Sequence, residues 1–105
     1  MVVQDASDKS FDQMIQGEYA VAEFFGDHCG GCVILAPVFQ ETASQMPFID
    51  FIRINVSHNP ETAERYDINS LPTLCFFRKG QVVHRTIGSM DRQTLNHHIS
   101  KMLYE

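Results

Sequence analysis

The chain has 105 residues, of which 44% are apolar and 20% are charged, and this length predicts one domain, spanning residues 1–105, with a single core. Thirteen acidic residues against eight basic ones give a net charge of −5, which argues against binding to nucleic acid or to an anionic membrane surface. The longest apolar run, Cys32–Phe39, is far shorter than the roughly 18 residues of a membrane-spanning helix.

The first segments of the chain alternate between strand and helix patterns. A weak edge strand is predicted at Met1–Gln4. A helix follows, which Ser7 or Asp8 could cap and Gly17 ends. Its apolar residues repeat at helical spacing: Phe11, Met14 and Ile15. The mostly apolar run Tyr19–Phe25 has the length of a strand that is covered on both faces.

A glycine-containing loop, Gly26–Gly31, leads into a longer helix. The residues of its buried face are predicted from helical spacing: Leu35, Phe39, Thr42, Ala43 and Met46. Pro37 lies inside this pattern, and we expect it to kink the helix because proline removes one backbone hydrogen bond. A second β-rich run at Phe48–Asn55 completes a strand–helix–strand unit, which is almost always right-handed.

The following segment predicts a short helix and a hairpin. The helix, Asn59–Tyr66, begins with a plausible cap at Asn59 and with Pro60 at its first position. Two strands, Thr73–Arg78 and Gln81–Ile87, are joined by the tight-turn sequence Lys79-Gly80 and therefore form an antiparallel pair.

The last helix is predicted over Asp91–Tyr104, with Ser89 or Asp91 as its cap. The order of elements is then β-α-β-α-β-α-β-β-α. This order predicts an α/β fold with a mixed central β-sheet of about five strands, the last two forming the hairpin, flanked on both faces by about four helices.

Cys29 and Cys32 form a C-x-x-C pattern where a predicted strand passes into a helix. The start of a helix carries partial positive charge and unpaired N–H groups, which stabilise a thiolate. Cβ atoms three residues apart on a helix are about 5–6 Å apart, and the flexible Gly30 and Gly31 would let them approach to disulfide distance. We therefore predict that Cys29, at the exposed tip, attacks as the thiolate, and that Cys32, which is more shielded, resolves the mixed disulfide.

Metal binding is the alternative for this pair, with His28 as a third ligand. Structural zinc and iron–sulfur sites usually need further ligands at matching spacing, and the sequence has no second C-x-x-C. The third cysteine, Cys75, falls in a predicted core strand and is interpreted as a buried apolar residue. The pattern favours redox chemistry without a metal and without a bound cofactor.

Three stretches resemble the thioredoxin family in sequence and in order: VAEFFGDHCGGCVILAP, RINVSHNPETAERYDINSLPT and FFRKGQVVHRTIGS. The resemblance covers nearly the whole chain and implies the thioredoxin fold. Cys29 and Cys32 match the two catalytic cysteines of the family in a C-G-G-C active site. Pro37 matches the family's helix proline, Leu71-Pro72-Thr73 its cis-proline turn, and Gly88 its late glycine.

The resemblance implies a thiol–disulfide oxidoreductase that reduces disulfides in protein substrates, with an NADPH-linked thioredoxin reductase as electron donor. It also implies a shallow substrate-binding surface beside the cysteines: His28, Gly30, Gly31, Leu71, Pro72 and Gly88. No signal-peptide pattern precedes the first strand, so we expect a cytoplasmic protein, and we expect a monomer. An oxidase or isomerase, or a non-catalytic binding module that keeps the fold, remains an alternative.

Several residues depart from the family pattern. Glu23 replaces a buried Asp, with Arg53 in place of a nearby Lys, and we expect the Glu23 carboxyl to accept or return the Cys32 proton. An outward-facing carboxylate is the alternative for Glu23. His28 stands where the family usually has Trp, and Gly31 where it usually has Pro. A protonated His28 would stabilise the neighbouring thiolate, and both changes would make the chain a weaker reductant than ordinary family members.

Overall fold

The most apolar predicted strand, YAVAEFF, forms the centre of the sheet. The structure, a computed structural model, describes residues 2–105. Its five strands are β1 (Val3–Ala6), β2 (Tyr19–Phe25), β3 (Asp50–Asn55), β4 (Thr73–Arg78) and β5 (Gln81–Ile87). They are arranged in the order β1-β3-β2-β4-β5. Pairing is parallel among β1, β3 and β2 and antiparallel among β2, β4 and β5, so the predicted mixed sheet and terminal hairpin are confirmed.

Four helices cover the two faces of this sheet. They are α1 (Phe11–Met14), α2 (Gly30–Gln45), α3 (Pro60–Arg65) and α4 (Arg92–Tyr104). One core joins α2 and α4 to one face of the sheet, and its buried side chains include Val21, Leu35, Phe39, Leu95 and Ile99. A second core lies on the other face, and its buried side chains include Phe11, Ala22, Phe24 and Ile54. No helix within residues 2–105 combines the length and the apolar character needed to cross a membrane.

The alternation of side chains along β2 determines which of its residues face the site. Val21 packs in the same core as Leu35 of α2, whereas Ala22 packs in the opposite core. Because successive strand residues point to opposite faces, Glu23 lies on the α2 face. The segment that carries the C-x-x-C pattern therefore continues from the end of β2 into a helix lying over Glu23.

The helix caps differ from the prediction at two places. Ser7 and Asp8 do not cap α1: its N-cap position is Ser10, which makes no side-chain cap hydrogen bond. The Asp8 carboxylate instead accepts hydrogen bonds from the backbone N–H groups of Glu61 and Thr62 at the start of α3. Asn59 occupies the predicted N-cap position of α3, but its side chain accepts a hydrogen bond from the backbone of Asp8. The N-terminal segment therefore caps a helix more than 50 residues away.

Other boundaries shift by a few residues. The edge strand begins at Val3 rather than Met1, which lies outside the described residues. The first helix ends at Met14, before Gly17, and the third strand begins at Asp50. Pro37 lies within an uninterrupted α2.

The C-terminal half follows the prediction more closely. Asp91 caps α4 by accepting a hydrogen bond from the backbone N–H of Thr94 at 2.8 Å. Lys79 and Gly80 both have positive φ, 50° and 80°, as the tight turn between β4 and β5 requires. The hairpin contains one irregularity in register, between Phe76 and Phe77.

Candidate active site

The structure joins Cys29 and Cys32 in a disulfide at the start of α2. Cys29 precedes the first helical residue with an extended backbone, and its Sγ accepts a hydrogen bond from the backbone N–H of Cys32 at 3.2 Å. The two Cα atoms are 5.3 Å apart. Cys32 is only 3% exposed, whereas Cys29 is partly exposed. The two sulfurs thus share one helix N-terminus and differ in their access to solvent, as the spacing predicts.

Pro72 lies next to this disulfide turn, and the Leu71–Pro72 peptide bond is cis. A Cβ atom at Gly31 would come within 3.1 Å of the Pro72 ring, and one at Gly26 within 2.8 Å of the Leu71 side chain. The backbone N–H of Gly88 donates to the Pro72 carbonyl at 2.8 Å. The structure therefore brings together Gly31, Leu71, Pro72 and Gly88 of the predicted substrate surface. Sequence reasoning missed the close approach of Gly26, which follows β2 directly.

Glu23 is a buried carboxyl, 0% exposed, and not the outward-facing one considered as the alternative. Its Oε1 accepts a hydrogen bond from Arg53 Nε at 3.1 Å across the β2–β3 pair. Its Oε2 is buried, and no donor for it lies within the described part of the chain. Desolvation by burial raises the pKa of Glu23, and the charge and hydrogen bond of Arg53 only partly oppose this rise. A carboxyl in this state can hold a proton closer to neutral pH than an exposed one.

A groove of about 560 Å³ opens beside the disulfide, and sequence reasoning did not anticipate it. Phe25, at the end of β2, forms one wall, and Val33 and Ala36 of α2 form another. The guanidinium of Arg53 lies 3.9 Å from the centre of the Phe25 ring, and Arg53 is also one of the residues that line the groove. No local signal could reveal this contact, because it depends on the register between β2 and β3.

His28 lies at the edge of this groove and is exposed, with a left-handed backbone at φ 58°. Within the described residues, no three His, Cys, Asp or Glu side chains are grouped closely enough to hold a metal ion. Cys75 is fully buried on the opposite face of the sheet. Burial raises the pKa of its thiol, which Arg85 opposes only in part. The structure thus separates this buried thiol from the disulfide pair.

The fold and the cysteine pair agree with comparisons to known proteins. A family model described as Thioredoxin matches residues 2–101. A thioredoxin of Chlamydia trachomatis is 33% identical over 100 residues, covering 95% of this chain and 98% of that protein. A thioredoxin of Staphylococcus aureus is 31% identical over 104 residues, covering 98% of this chain and all of its own length.

Solved structures agree as well. The crystal structure of the Malassezia sympodialis thioredoxin Mala s 13 superposes with a TM-score of 0.85 at 27% identity, covering 95% of this chain and 90% of that one. The predicted fold class is confirmed. Family, fold and a disulfide-forming C-x-x-C pair lead to the same conclusion: the chain belongs to the thioredoxin family and is a thiol–disulfide oxidoreductase.

Proposed function

We propose that this chain, acting as one domain over residues 1–105, reduces disulfides in protein substrates through its C-G-G-C site. The Cys29 thiolate attacks one sulfur of the substrate disulfide, forms a mixed disulfide and releases the first substrate thiolate. The Cys32 thiolate then attacks Cys29 Sγ, which releases the second substrate thiolate and leaves Cys29–Cys32 oxidised. Two electrons pass from the protein dithiol to the substrate, and each released thiolate takes up a proton. No cofactor takes part in these steps.

The unequal exposure of the two sulfurs is the observation that carries this proposal. A substrate sulfur can reach the partly exposed Cys29, whereas Cys32 is 3% exposed and can meet only a partner already held at Cys29. The backbone N–H of Cys32, in the first turn of α2, donates to the Cys29 sulfur. This donor and the partial positive charge of the helix N-terminus favour the thiolate of Cys29 as the attacking group.

Glu23 is the proposed proton acceptor for Cys32. The carboxyl is buried on the face of the sheet that α2 covers, and it has one oxygen without a hydrogen-bond donor in the described residues. Its raised pKa suits a group that must take a proton when Cys32 attacks and return it when the disulfide is reduced. Arg53 acts through Glu23 as a positioning residue, because its Nε fixes the other carboxylate oxygen.

The proposed substrate surface surrounds the exposed side of the disulfide: His28, Gly30, Gly31, Leu71, Pro72 and Gly88. Gly30 is exposed and has nothing within 4 Å of its Cβ position, so a substrate chain can approach closely there. Pro72 has no N–H and follows a backbone segment that an extended substrate peptide could pair with. The exchange reaction would then take place with the substrate held in extended form across Cys29.

Membership of the family supports an NADPH-linked thioredoxin reductase as the electron donor. The net charge of −5 disfavours nucleic acid and anionic membranes as partners. We place the protein in the cytoplasm and expect it to act as a monomer. Incubation of the oxidised chain with NADPH and a bacterial thioredoxin reductase tests the donor directly, with the consumption of NADPH measured from its absorbance. Absence of NADPH consumption would refute this part of the proposal.

Reduction of insulin by dithiothreitol tests the main proposal. The wild type should accelerate insulin precipitation, Cys29→Ser should abolish the acceleration, and Cys32→Ser should accumulate a mixed disulfide with the substrate. Cys75→Ala is the matched control, because this cysteine is buried on the opposite face, and it should keep wild-type activity. Full activity of Cys29→Ser would refute the assignment of the attacking sulfur.

The oxidase or isomerase direction is the rival, and His28 is the observation that favours it. This exposed imidazole adjoins Cys29 in sequence and in the groove, and its protonated form would favour the reduced dithiol. Equilibration with glutathione buffers measures the reduction potential. A potential above that of ordinary thioredoxins, lowered by His28→Trp, would confirm the predicted effect. A potential as low as theirs would contradict it.

A further inference from the structure

Arg53, a cationic residue of the groove beside the disulfide, has hydrogen-bond donors without an acceptor among residues 2–105. The structure gives Arg53 a single acceptor among residues 2–105, the Glu23 oxygen that receives Nε. Its terminal nitrogens Nη1 and Nη2 have no acceptor in this part of the chain. The Arg53 side chain is 20% exposed, and the residue lines the groove. Within the described residues, these two nitrogens of a permanent cation are therefore free to donate hydrogen bonds to an anion.

Two contacts hold the Arg53 side chain in place. The guanidinium stacks on the Phe25 ring at 3.9 Å, and its link to Glu23 holds the other end. Such stacking restricts the side chain without satisfying its in-plane donors. His28 and Cys29 line the same groove as Arg53. This local charge contrasts with the net charge of −5 of the chain.

The groove is separate from most of the proposed protein-substrate surface. It is lined in part by Phe25, Val33 and Ala36, and it does not include Pro72 or Gly88. Its volume of about 560 Å³ falls within the range of about 300–1,000 Å³ found for small-molecule sites. Apolar walls with one oriented cation suit a small organic molecule that carries a carboxylate.

We propose that this groove is a subsite for low-molecular-weight disulfides that carry a carboxylate, which Arg53 binds while Cys29 attacks the disulfide. This inference rests on the oxidoreductase activity and adds a substrate class to it. The Cys29 thiolate displaces one carboxylate-bearing thiolate from the small disulfide and forms a mixed disulfide. Cys32 then displaces the second, so that one small disulfide and the protein dithiol become two small thiols and the protein disulfide.

Three small disulfides of similar size provide the test: 3,3′-dithiodipropionate, bis(2-hydroxyethyl) disulfide and cystamine, which are dianionic, neutral and dicationic at pH 7. Second-order rate constants for the reduced protein are measured by acid quenching and mass spectrometry. Each is divided by the rate constant of 1-thioglycerol, a neutral thiol that is not a component of any of the three, with the same disulfide, which removes intrinsic reactivity. We expect the normalised rate for the dianion to exceed that for the neutral disulfide by about fivefold, the effect of one partly exposed ion pair. The dication should react slowest.

Variants assign the preference to the groove. Arg53→Gln should reduce the anion-to-neutral ratio to about one, whereas Arg92→Gln is the matched control. Arg92 is a surface guanidinium bonded to Glu41, so its loss changes the net charge equally and should leave the ratio unchanged. Because Arg53→Gln also removes the partner of Glu23 and could impair folding, Ala36→Glu provides a second test. It places a carboxylate at the groove wall and should bring the ratio to one or below.

Each outcome is decisive. Equal normalised rates for all three disulfides in the wild type would overturn the anion subsite while leaving the oxidoreductase activity intact. A preference that persists in both Arg53→Gln and Ala36→Glu would overturn the assignment to this groove. Failure of the reduced protein to react with any of the three while it still reduces insulin would overturn the subsite alone, whereas failure with insulin as well would overturn the activity on which the subsite rests.

Discussion

Replacing Glu23 with glutamine should make the protein more stable and slower at the same time. In its charged form the carboxylate has one hydrogen bond, from Arg53, and one buried oxygen without a donor in the described residues. A buried group left unsatisfied costs about 1–3 kcal/mol, and more when charged. Glutamine keeps an acceptor for Arg53 and carries no charge, but its own N–H groups would also lack an acceptor. We expect a net gain of about 1 kcal/mol in the free energy of unfolding at pH 8.

The gain should depend on pH in a defined direction. Burial raises the pKa of Glu23 above its ordinary value of 4.5, with Arg53 opposing only part of the rise. The folded state therefore keeps this proton to higher pH than the unfolded state does. The contribution of Glu23 to stability is complete at acid pH and is lost as pH rises through the raised pKa. The difference in unfolding free energy between Glu23→Gln and wild type should grow between about pH 5 and pH 9.

Urea unfolding of the oxidised proteins measures the stability, and single-turnover reduction of a disulfide substrate at pH 7 measures the rate. The exchange rate of Glu23→Gln should fall by about tenfold, which is less than the usual effect of losing a general base because water can replace part of this role. Glu41→Gln is the control: this carboxylate is exposed and pairs with Arg92 on the surface. A stability difference that is constant from pH 5 to pH 9, or an unchanged exchange rate, would refute the reasoning.

Three further predictions concern a helix cap, a glycine backbone and a buried thiol. Asp8→Ala should lower the urea midpoint at pH 7, because α3 loses the acceptor for its first N–H groups. Desolvation raises the pKa of Asp8, but the hydrogen bonds outweigh this effect and lower the pKa below its ordinary value. The difference in urea midpoint between Asp8→Ala and wild type should therefore shrink as the pH falls below about 4. Gly88→Ala should lower the free energy of unfolding by about 1–2 kcal/mol, measured by thermal or urea unfolding, because φ at this position is +95°. Gly30→Ala is the control and should have almost no effect, because the space at its Cβ position is open. Equal effects of the two substitutions would contradict this prediction. Cys75 should react with iodoacetamide only in denaturant, and labelling of the native protein would refute its burial.

Local patterns were sufficient to predict the elements whose causes are local. The bounds of β2 follow from the apolar run Tyr19–Phe25, and the β4–β5 turn follows from Lys79-Gly80, where positive φ is needed. Asp91 caps the helix that begins next to it. The pairing of Cys29 with Cys32 follows from the geometry of one helical turn.

Features that depend on distant residues were not predicted. The sequence predicts Ser7 or Asp8 as the cap of the helix beside them, but the Asp8 carboxylate binds α3, because folding brings the two segments together and a carboxylate caps whichever N–H groups are nearest. The position of Arg53 over Phe25 depends on the register of β2 against β3. The burial of Glu23 is predicted, but from the resemblance to a family with a buried Asp at this position, since the strand pattern alone leaves an outward-facing carboxylate open.

The disulfide follows β2, the central strand of the five-stranded sheet. β2 lies between β3 and β4, and it ends where the loop to Cys29 begins. Amide protons of an interior strand exchange with solvent only when much of the molecule opens. Cycles of oxidation and reduction can therefore proceed while the supporting backbone stays closed, and hydrogen exchange should find the amides of β2 equally protected in both redox states.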